Sequence, residues 1–471
     1  MSAEKDILAF TADNEAMLID LERDIWEHPQ VGFYEEYAAK LLSGVLRDAG
    51  FRVSMNVAQL PTAFVGEWGS GPPIIGILGE YDALPGLSQK VQSKKEPAKE
   101  GGAGHACGHN LLGVGGLGAA LALKRTIEQG TAKGTVRYYG CPAEETLIGK
   151  VFMARDGVFD DLDAALTWHP MYANTLWNSE STALNSFKFN FHGVSAHAAA
   201  APQAGRSALD GVMLTDVGVN YLREHVIQDA RIHCVITHGG DAPNIVPSYA
   251  QVWYYVRAPK RPQVEEIYRR VLNIANGADL MTDTTHDVEF LAACYDYLPN
   301  QVIGRVLLQH MKELGPPPFD DADLAFAREL QGTLEPEQVE GTLRAYRKTR
   351  EELGDPLSSA VLDEVGTFGR GEVLAGSTDV GDVSYITPTG QVTTCCMPLG
   401  VPVHSWQACA ATGSGIGAKG MMLAAKTLAL TGLDLLGKPE LLKAAREEFV
   451  KATSGKRYAS PLPSNLEPPK S

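Results

Sequence analysis

The chain has 471 residues, of which 44% are hydrophobic and 21% charged, and its formal net charge at pH 7 is −16. This length exceeds what one simple hydrophobic core organises, so it predicts two or three domains. The acidic balance argues against nucleic-acid binding, because neutralising phosphates requires clustered lysine and arginine.

The first residues, MSAEKDILAFTADNEAML, contain no basic segment followed by an apolar one, and they predict no signal peptide. No stretch reaches the roughly 18 consecutive apolar residues of a membrane span. The seven cysteines are odd in number and widely scattered, unlike a disulfide framework. We therefore expect a cytoplasmic protein that binds neither membrane nor nucleic acid.

The first third of the chain alternates helical patterns with apolar runs. Helical spacing covers 14–50, where proline and glycine near residue 30 separate two helices, and it returns over 110–129. Apolar runs at 73–79, 135–140 and 163–168 predict buried strands. This alternation predicts an α/β domain with a mixed sheet and helices on both faces, whose site lies beyond the carboxyl ends of the strands.

A different pattern begins near Ser186. The predicted order of strand, helix, strand, strand, helix and strand extends over about 110 residues and matches a ferredoxin-like α+β domain. We expect this domain, at 186–295, to be inserted as a lid into a catalytic domain formed by 1–185 and 296–471.

Three further segments lie outside this core pattern. Residues 86–104 predict a long loop, which is either a solvated connection or a mobile gate over a site. The charged stretch 335–352 predicts a helix with a solvated face, and the tail from residue 460 predicts disorder.

Side chains that bind transition metals occur in four separate clusters. Thiolate, imidazole and carboxylate are the usual ligands of such metals. A structural zinc site gathers its ligands in two close pairs, whereas this scatter predicts an open, catalytic metal centre. The clusters contain Cys107 with His109, Glu144 with Glu145, then His169 and His404.

Each cluster taken alone also has an ordinary explanation. Cys107 is either a buried thiol or a thiolate favoured by the N-terminus of the following helix. Glu144 and Glu145 are either an acidic pair at a helix start or functional residues. Adjacent residues point in opposite directions in an extended chain, so one can bind metal while the other faces substrate. His169 and His404 are either hydrogen-bonded surface histidines or ligands. Five ligands exceed the need of one tetrahedral ion and suit two ions.

These clusters, in this order, resemble the dinuclear metallo-amidohydrolases of the aminoacylase and glutamate-carboxypeptidase family. The resemblance extends from Glu80-Tyr81-Asp82-Ala83-Leu84-Pro85 to His404. The subgroup with His-Ala-Cys-Gly-His includes indole-acetyl-amino-acid hydrolases, N-acyl-amino-acid deacylases and p-aminobenzoyl-glutamate hydrolases. Segments 376–383 and 402–406 are most similar to the B-subunit type of the last group. Asn110 and Glu80-Tyr81 depart from the Asp and the Asp-Met that many members have.

The resemblance implies a role for each matched residue. Glu144 becomes the general base and Asp82 orients a metal ligand. In the lid, His197 would bind the oxyanion in the partner subunit's site and Asn244 would contact the substrate. Arg257 would bind the substrate carboxylate in a bidentate pair, unless it forms a surface salt bridge. The implied metal ligands are Cys107, His109, Glu145, His169 and His404.

The expected activity is hydrolysis of the amide between an acyl or aroyl group and an amino acid with a free carboxylate. The preferred substrate is p-aminobenzoyl-glutamate or a related N-acyl amino acid. Two divalent ions are expected, manganese by resemblance or zinc because of the thiolate, together with a homodimer formed through the lid. The alternatives are the same chemistry on an N-acetyl or indole-acetyl amino acid, a dipeptidase of the same family, and a non-catalytic subunit that binds ligand or activates a hetero-oligomeric hydrolase.

Overall fold

The computed structural model describes residues 3–469. The helices are α1 Ala3–Asp13, α2 Glu15–Glu27, α3 Glu36–Asp48, α4 His109–Glu128, α5 Gly149–Arg155, α6 Ala208–Leu222, α7 Arg261–Thr282, α8 Gln301–Leu314, α9 Asp321–Gln331, α10 Pro336–Tyr346, α11 Arg350–Leu353, α12 Val380–Ser384, α13 Trp406–Thr412, α14 Gly415–Gly437 and α15 Pro439–Ala452. The strands are β1 Arg52–Met55, β2 Phe64–Gly69, β3 Ile74–Glu80, β4 Thr135–Cys141, β5 Ala164–Met171, β6 Asn174–Leu176, β7 Glu180–Ser181, β8 Ala183–His192, β9 Arg231–His238, β10 Tyr249–Ala258, β11 Thr285–Cys294, β12 Val361–Leu362, β13 Val373–Leu374 and β14 Thr389–Cys395.

The larger sheet has eight strands in the order β1-β2-β4-β3-β5-β14-β6-β12. In its centre β3 pairs in parallel with β4 and β5, and β5 pairs in parallel with β14. These central strands are almost entirely buried, as their apolar runs predict. Their carboxyl ends therefore meet at one edge of the sheet, where polar side chains from distant parts of the chain can converge.

Helices α4 and α14 pack against this sheet and against each other. A Cβ atom at Gly115 would lie 2.9 Å from the Trp168 indole, so α4 reaches this distance from β5 only because it has glycine there. Among the described helices, α14 alone is long and apolar enough to cross a membrane, and 78% of its most apolar window is buried inside the protein. That burial is typical of a core helix.

The second sheet has four antiparallel strands in the order β11-β8-β10-β9, and α6 and α7 pack on it. Phe187, Phe189 and Phe191 of β8 are fully buried between the sheet and these helices. The order of elements is that of a ferredoxin-like domain, so the predicted fold class is confirmed. The predicted boundaries of the inserted domain stay a prediction, which this separate sheet and core support.

The structure contradicts two of the remaining predictions. Helix α10 is not simply solvated, because its apolar positions Val339, Leu343 and Tyr346 recur at helical spacing and are buried. The tail, up to the last described residue at 469, is ordered rather than disordered. Leu462 is buried in the core, and Arg155 Nη1 donates a 2.6 Å hydrogen bond to the Leu466 carbonyl. A few apolar residues among many charges and prolines were enough to fix both segments.

Candidate metal centre

The predicted ligands converge at the carboxyl edge of the larger sheet. Cys107 and His109 stand at the start of α4, Glu145 follows β4, His169 lies in β5, and His404 precedes α13. Cys107 Sγ lies 3.4 Å from His169 Nε2. His404 Nε2 lies 3.4 Å from Glu145 Oε2. Side chains from distant parts of the sequence thus share one site.

Two sets of potential ligands overlap at one residue. Cys107, His109 and His169 form one set, and Cys107, Glu145 and His404 form the other; within each set the ligand atoms lie within 4.8 Å of one another. Buried His109 Nε2 and Glu145 Oε1 form no hydrogen bond to any described residue, although buried polar atoms are normally satisfied. The donor set therefore fits divalent cations, and Cys107 belongs to both ligand sets.

Burial determines the charge states of these ligands. It raises the pKa of the Cys107 thiol, as does the charge of Glu145. Burial therefore opposes the thiolate that the helix N-terminus was expected to favour, and that effect of the helix stays a prediction; a bound cation would favour the thiolate. Burial lowers the pKa of His169 to about 4. His169 is therefore neutral, and its Nδ1 lies 2.9 Å from the Pro170 carbonyl, which leaves Nε2 available as a ligand.

Asp82 forms hydrogen bonds with two of the predicted ligands, His109 and Glu145. Its Oδ1 lies 2.8 Å from His109 Nδ1, and its Oδ2 accepts a 2.8 Å hydrogen bond from the Glu145 amide. Burial favours the neutral acid, but His109 and these hydrogen bonds lower the pKa of Asp82 below its ordinary value. An ionised Asp82 fixes the His109 ring, so that Nε2 faces the site.

Glu144 and Glu145 point to different partners. Glu145 joins Cys107 and His404, whereas Glu144 joins His109 and Glu80. Glu144 Oε2 lies 3.8 Å from His109 Nε2, and burial together with the charge of Glu80 raises the pKa of Glu144 well above its ordinary value. A carboxyl group with a raised pKa at a cavity wall is suited to accept and return a proton.

Sequence reasoning did not identify Glu80 or Lys150 as members of this site. Glu80 Oε2 lies 3.3 Å from His109 Nε2, and the other oxygen of Glu80 lies 2.6 Å from the Lys150 ammonium. Lys150 is fully buried and also contacts Asp379 at 2.6 Å. An acid at the end of a buried strand was a usable signal for Glu80. Nothing local distinguishes Lys150 from a surface lysine.

A cavity of about 770 Å³ opens beside the metal centre. Arg257 reaches it from the inserted domain, donating from Nη1 to Ser377 Oγ at 2.8 Å and lying 5.4 Å from the Tyr255 ring centroid. Burial lowers the pKa of the Arg257 guanidinium. Aromatic rings form another part of the wall, and their centroids are 4.9 Å apart for Trp177 and Phe368 and 5.6 Å apart for Phe368 and Tyr346. The cavity wall therefore combines the positively charged side chain of Arg257 with an aromatic surface.

His197 and Asn244 do not line this cavity. Both side chains are exposed on the inserted domain, where His197 pairs with Ile245 and the Ala198 amide donates to the Asn244 carbonyl at 3.0 Å. His197 Nδ1 accepts from two neighbouring backbone amides. Their proposed roles at a partner's site stay predictions. The described loop 86–104 also does not line the cavity, so nothing here favours its role as a gate.

Known proteins resemble this chain in both sequence and fold. The sequence of residues 76–386 matches the family model of peptidase family M20/M25/M40. The chain is 42% identical to the B-subunit of p-aminobenzoyl-glutamate hydrolase from Escherichia coli (strain K12) over 95% of each chain. It is 30% identical to an Xaa-Arg dipeptidase of Mus musculus, covering 91% of this chain and 88% of the relative. A dinuclear metal-binding peptidase of the M20 family from Bacillus subtilis shares the fold, with a TM-score of 0.58, 17% identity, and 91% of this chain and 99% of that one covered.

Proposed function

Because the chain belongs to peptidase family M20/M25/M40 and is a metal-dependent amidohydrolase of that family, we propose that it cleaves an amide between an aromatic acyl group and an amino acid. The observation that carries this proposal is the cavity, whose lining includes members of both ligand sets, Glu144, the half-buried Arg257 and a wall of aromatic rings. The name of the Escherichia coli relative makes p-aminobenzoyl-glutamate the first substrate to test.

The metal ligands would be Cys107, His109, Glu145, His169 and His404. Two divalent cations bound there supply Lewis acidity, which polarises a carbonyl and lowers the pKa of water. The sulfur ligand favours zinc over manganese, and elemental analysis of the purified protein decides between them. Asp82 keeps His109 in the orientation that a ligand requires.

Glu144 is the proposed proton carrier. It would take the proton of the attacking water and deliver it to the nitrogen of the departing amino acid. Its neighbour Glu145 cannot replace it, because the Glu145 side chain points to Cys107 and His404.

The two ends of the substrate would meet different walls of the cavity. Arg257 donates one N–H to Ser377 and retains others for a free carboxylate. The acyl group would pack on Trp177, which lies 5.8 Å from the ring of His169, and on Phe368 and Tyr346 beyond it. An aromatic acyl group fits this surface because flat rings pack well edge to face.

A homodimer through the inserted domain is part of the proposal. Strand β9 lies at the edge of its sheet, and Val235 and Ile236 on it are 54% and 42% exposed. An exposed apolar edge strand is a ready surface for pairing with another chain. Such pairing would carry His197 and Asn244 toward the partner's cavity. Since the relative's name denotes one subunit type, sedimentation of the purified chain alone and with the other subunit type distinguishes a homodimer from a mixed assembly.

The proposed location is the cytoplasm. All seven cysteines are free and six of them are buried, as expected for a reducing compartment. Fractionation of cells that express the tagged chain tests this proposal, because recovery in an oxidising compartment would contradict it.

The decisive experiment uses the purified chain loaded with zinc or manganese. We expect it to release p-aminobenzoate and glutamate without a second protein. A panel that includes N-acetyl and indole-acetyl amino acids and Xaa-Arg peptides ranks the substrates. Similarity to a dipeptidase makes the Xaa-Arg peptides the second candidate. Inactivity on every amide until another chain is added would favour the non-catalytic role instead.

A further inference from the structure

The turn that presents Glu144 has an unfavourable backbone. Strand β4 ends at Cys141, and Ala143 then adopts a positive φ of 57°. An L-residue with a side chain pays roughly 1–2 kcal/mol for this left-handed conformation. Strained residues of this kind persist only where the surroundings hold them in place. Something must therefore hold the backbone directly before Glu144.

Two buried carboxyl groups hold this turn from either side; burial and the charge of Asp82 raise the pKa of Glu35 to about 8. Glu35 Oε1 accepts a 2.8 Å hydrogen bond from the Ala143 amide, and Asp82 Oδ2 accepts one of the same length from the Glu145 amide. The Pro142–Ala143 and Glu144–Glu145 peptide units, which flank the Ala143–Glu144 unit, are thus each fixed by a carboxyl group. Asp82 was identified from the sequence as an orienting residue, whereas Glu35 was not.

The Glu35 side chain forms hydrogen bonds with this turn rather than with its own helix. It occupies the position that caps α3, but its side chain makes no capping hydrogen bond. The Glu35 carboxyl group instead accepts from the Ala143 amide and, through Oε2, from Thr62 Oγ1 at 3.0 Å. A Cβ atom added at Gly32 would lie 3.1 Å from the Ala143 Cα, so the chain before α3 packs directly on the turn.

The carboxyl groups of Glu35 and Asp82 are also linked to each other. Thr62, which donates to Glu35, accepts a 2.6 Å hydrogen bond from the Tyr81 hydroxyl at its carbonyl. Tyr81 directly precedes Asp82 and is fully buried. Glu35, Thr62, Tyr81 and Asp82 therefore form a continuous support under the turn, and each of its members is shielded from water.

We propose that Glu35 is a positioning residue that fixes the backbone turn carrying Glu144 and thereby aims the proton carrier at the metal centre. This inference rests on the proposed function for its kinetic consequence, but the clamp itself is a structural claim. Misplacing a reacting group by about 1 Å can cost on the order of 100-fold in rate. Glu35 acts through the Ala143 amide and touches no substrate.

The test compares Glu35→Ala with Glu35→Gln. Alanine leaves the Ala143 amide without its acceptor, and we expect kcat to fall by about 10- to 100-fold while KM changes by less than about 3-fold. Glutamine keeps a carbonyl oxygen for that amide, and Thr62 Oγ1 can accept from the glutamine NH₂ group. We therefore expect Glu35→Gln to retain most of the wild-type kcat.

Asp382→Ala is the matched control for lost stability. Asp382 is also fully buried, and it also accepts from one backbone amide, that of Tyr295, and from one hydroxyl, that of Tyr458. We expect this control to lower the melting temperature by an amount similar to Glu35→Ala but to leave kcat within about 2-fold. Equal losses of kcat in the two variants, a wild-type kcat in Glu35→Ala, or no rescue by glutamine would overturn the proposal.

Cobalt spectra separate this inference from the proposed function. In the Co(II)-loaded protein, the visible absorption reports the ligand geometry that includes Glu145, whether or not any amide is cleaved. We expect an altered spectrum for Glu35→Ala and an unaltered one for Asp382→Ala. If the wild type cleaves no amide on the panel, the proposed function fails, but an altered spectrum confined to Glu35→Ala still supports the clamp. An unchanged spectrum in that case refutes it.

Discussion

Replacing Lys150 with methionine tests how much a buried ion-pair network beside the metal centre contributes to the free energy of unfolding. The Lys150 ammonium lies 2.6 Å from carboxylate oxygens of both Glu80 and Asp379, and all three side chains are buried. Methionine has a similar length but no charge, so two buried carboxylates would lose their counter-ion. Removing one partner of a buried ion pair costs about 3–5 kcal/mol, which is a large share of the ~5–15 kcal/mol that stabilises a folded protein.

The expected loss depends on pH in a defined direction. Burial raises the pKa of Asp379 to about 6 even though Lys150 opposes that shift. Without Lys150 this pKa rises further. A carboxyl whose folded-state pKa exceeds its unfolded-state value destabilises the fold as pH rises through the folded-state pKa, and the penalty vanishes when both states are protonated. We therefore expect the free energy of unfolding to fall by about 3–5 kcal/mol at pH 8 and by clearly less at pH 5.

Urea unfolding followed by tryptophan fluorescence measures this effect at both pH values. Lys419→Met is the control, because Lys419 also pairs with two carboxylates, those of Asp320 and Asp323, but is only half-buried and has an exposed partner in Asp320. Exposed pairs contribute about 0–1 kcal/mol, so the control should lose little. A loss for Lys150→Met that is no larger than that of the control, or one that is equal at pH 5 and pH 8, would refute the reasoning.

Three further predictions address the metal centre and its cavity. Glu144→Ala should lower kcat by at least about 100-fold while metal content, measured by elemental analysis, stays at the wild-type value; unchanged activity contradicts the assigned role. Asp82→Asn should weaken metal binding by about 10- to 100-fold in equilibrium dialysis, because the amide does not stabilise His109 as the carboxylate does; wild-type affinity would show that Asp82 is dispensable. Arg257→Lys should raise KM by about 10-fold for substrates with a free carboxylate and leave KM unchanged for the matching carboxamide; equal effects on both would exclude a carboxylate contact.

Local patterns accounted for much of the fold. The strands β3, β4 and β5 and the helix α4 lie within a few residues of their predicted positions, because apolar runs and helical spacing reflect how each segment is buried. The prediction failed at α10, where three buried residues stand among charged and polar ones. Composition suggested a solvated helix, but a few apolar side chains at the correct spacing suffice to bury one face.

The predicted site was incomplete for a different reason. Cys107, His109, Glu144, His169 and His404 each stand beside a strand end or a turn that the sequence reveals, and the structure brings them together. Glu80 ends strand β3, which was a usable signal, whereas Glu35 and Lys150 carry no such clear local mark. The role of each residue depends on the buried polar group that it contacts. Glu35 contacts the Ala143 amide, Glu80 the Lys150 ammonium, and Lys150 the Asp379 carboxylate. Each of these partners lies far away along the chain.

The amino-acid order by itself therefore determined the fold class, the family resemblance and most of the residues that converge at the sheet edge. These features follow from short-range patterns of hydrophobicity and from metal-binding side chains placed after strands. Only the tertiary structure decided which carboxylates support the turn before Glu144, which lysine neutralises Glu80, and that a charged helix lines the cavity. A buried charge or hydrogen-bonding group is stable only with its partner, and that partner is set by packing between distant segments rather than by neighbours along the chain.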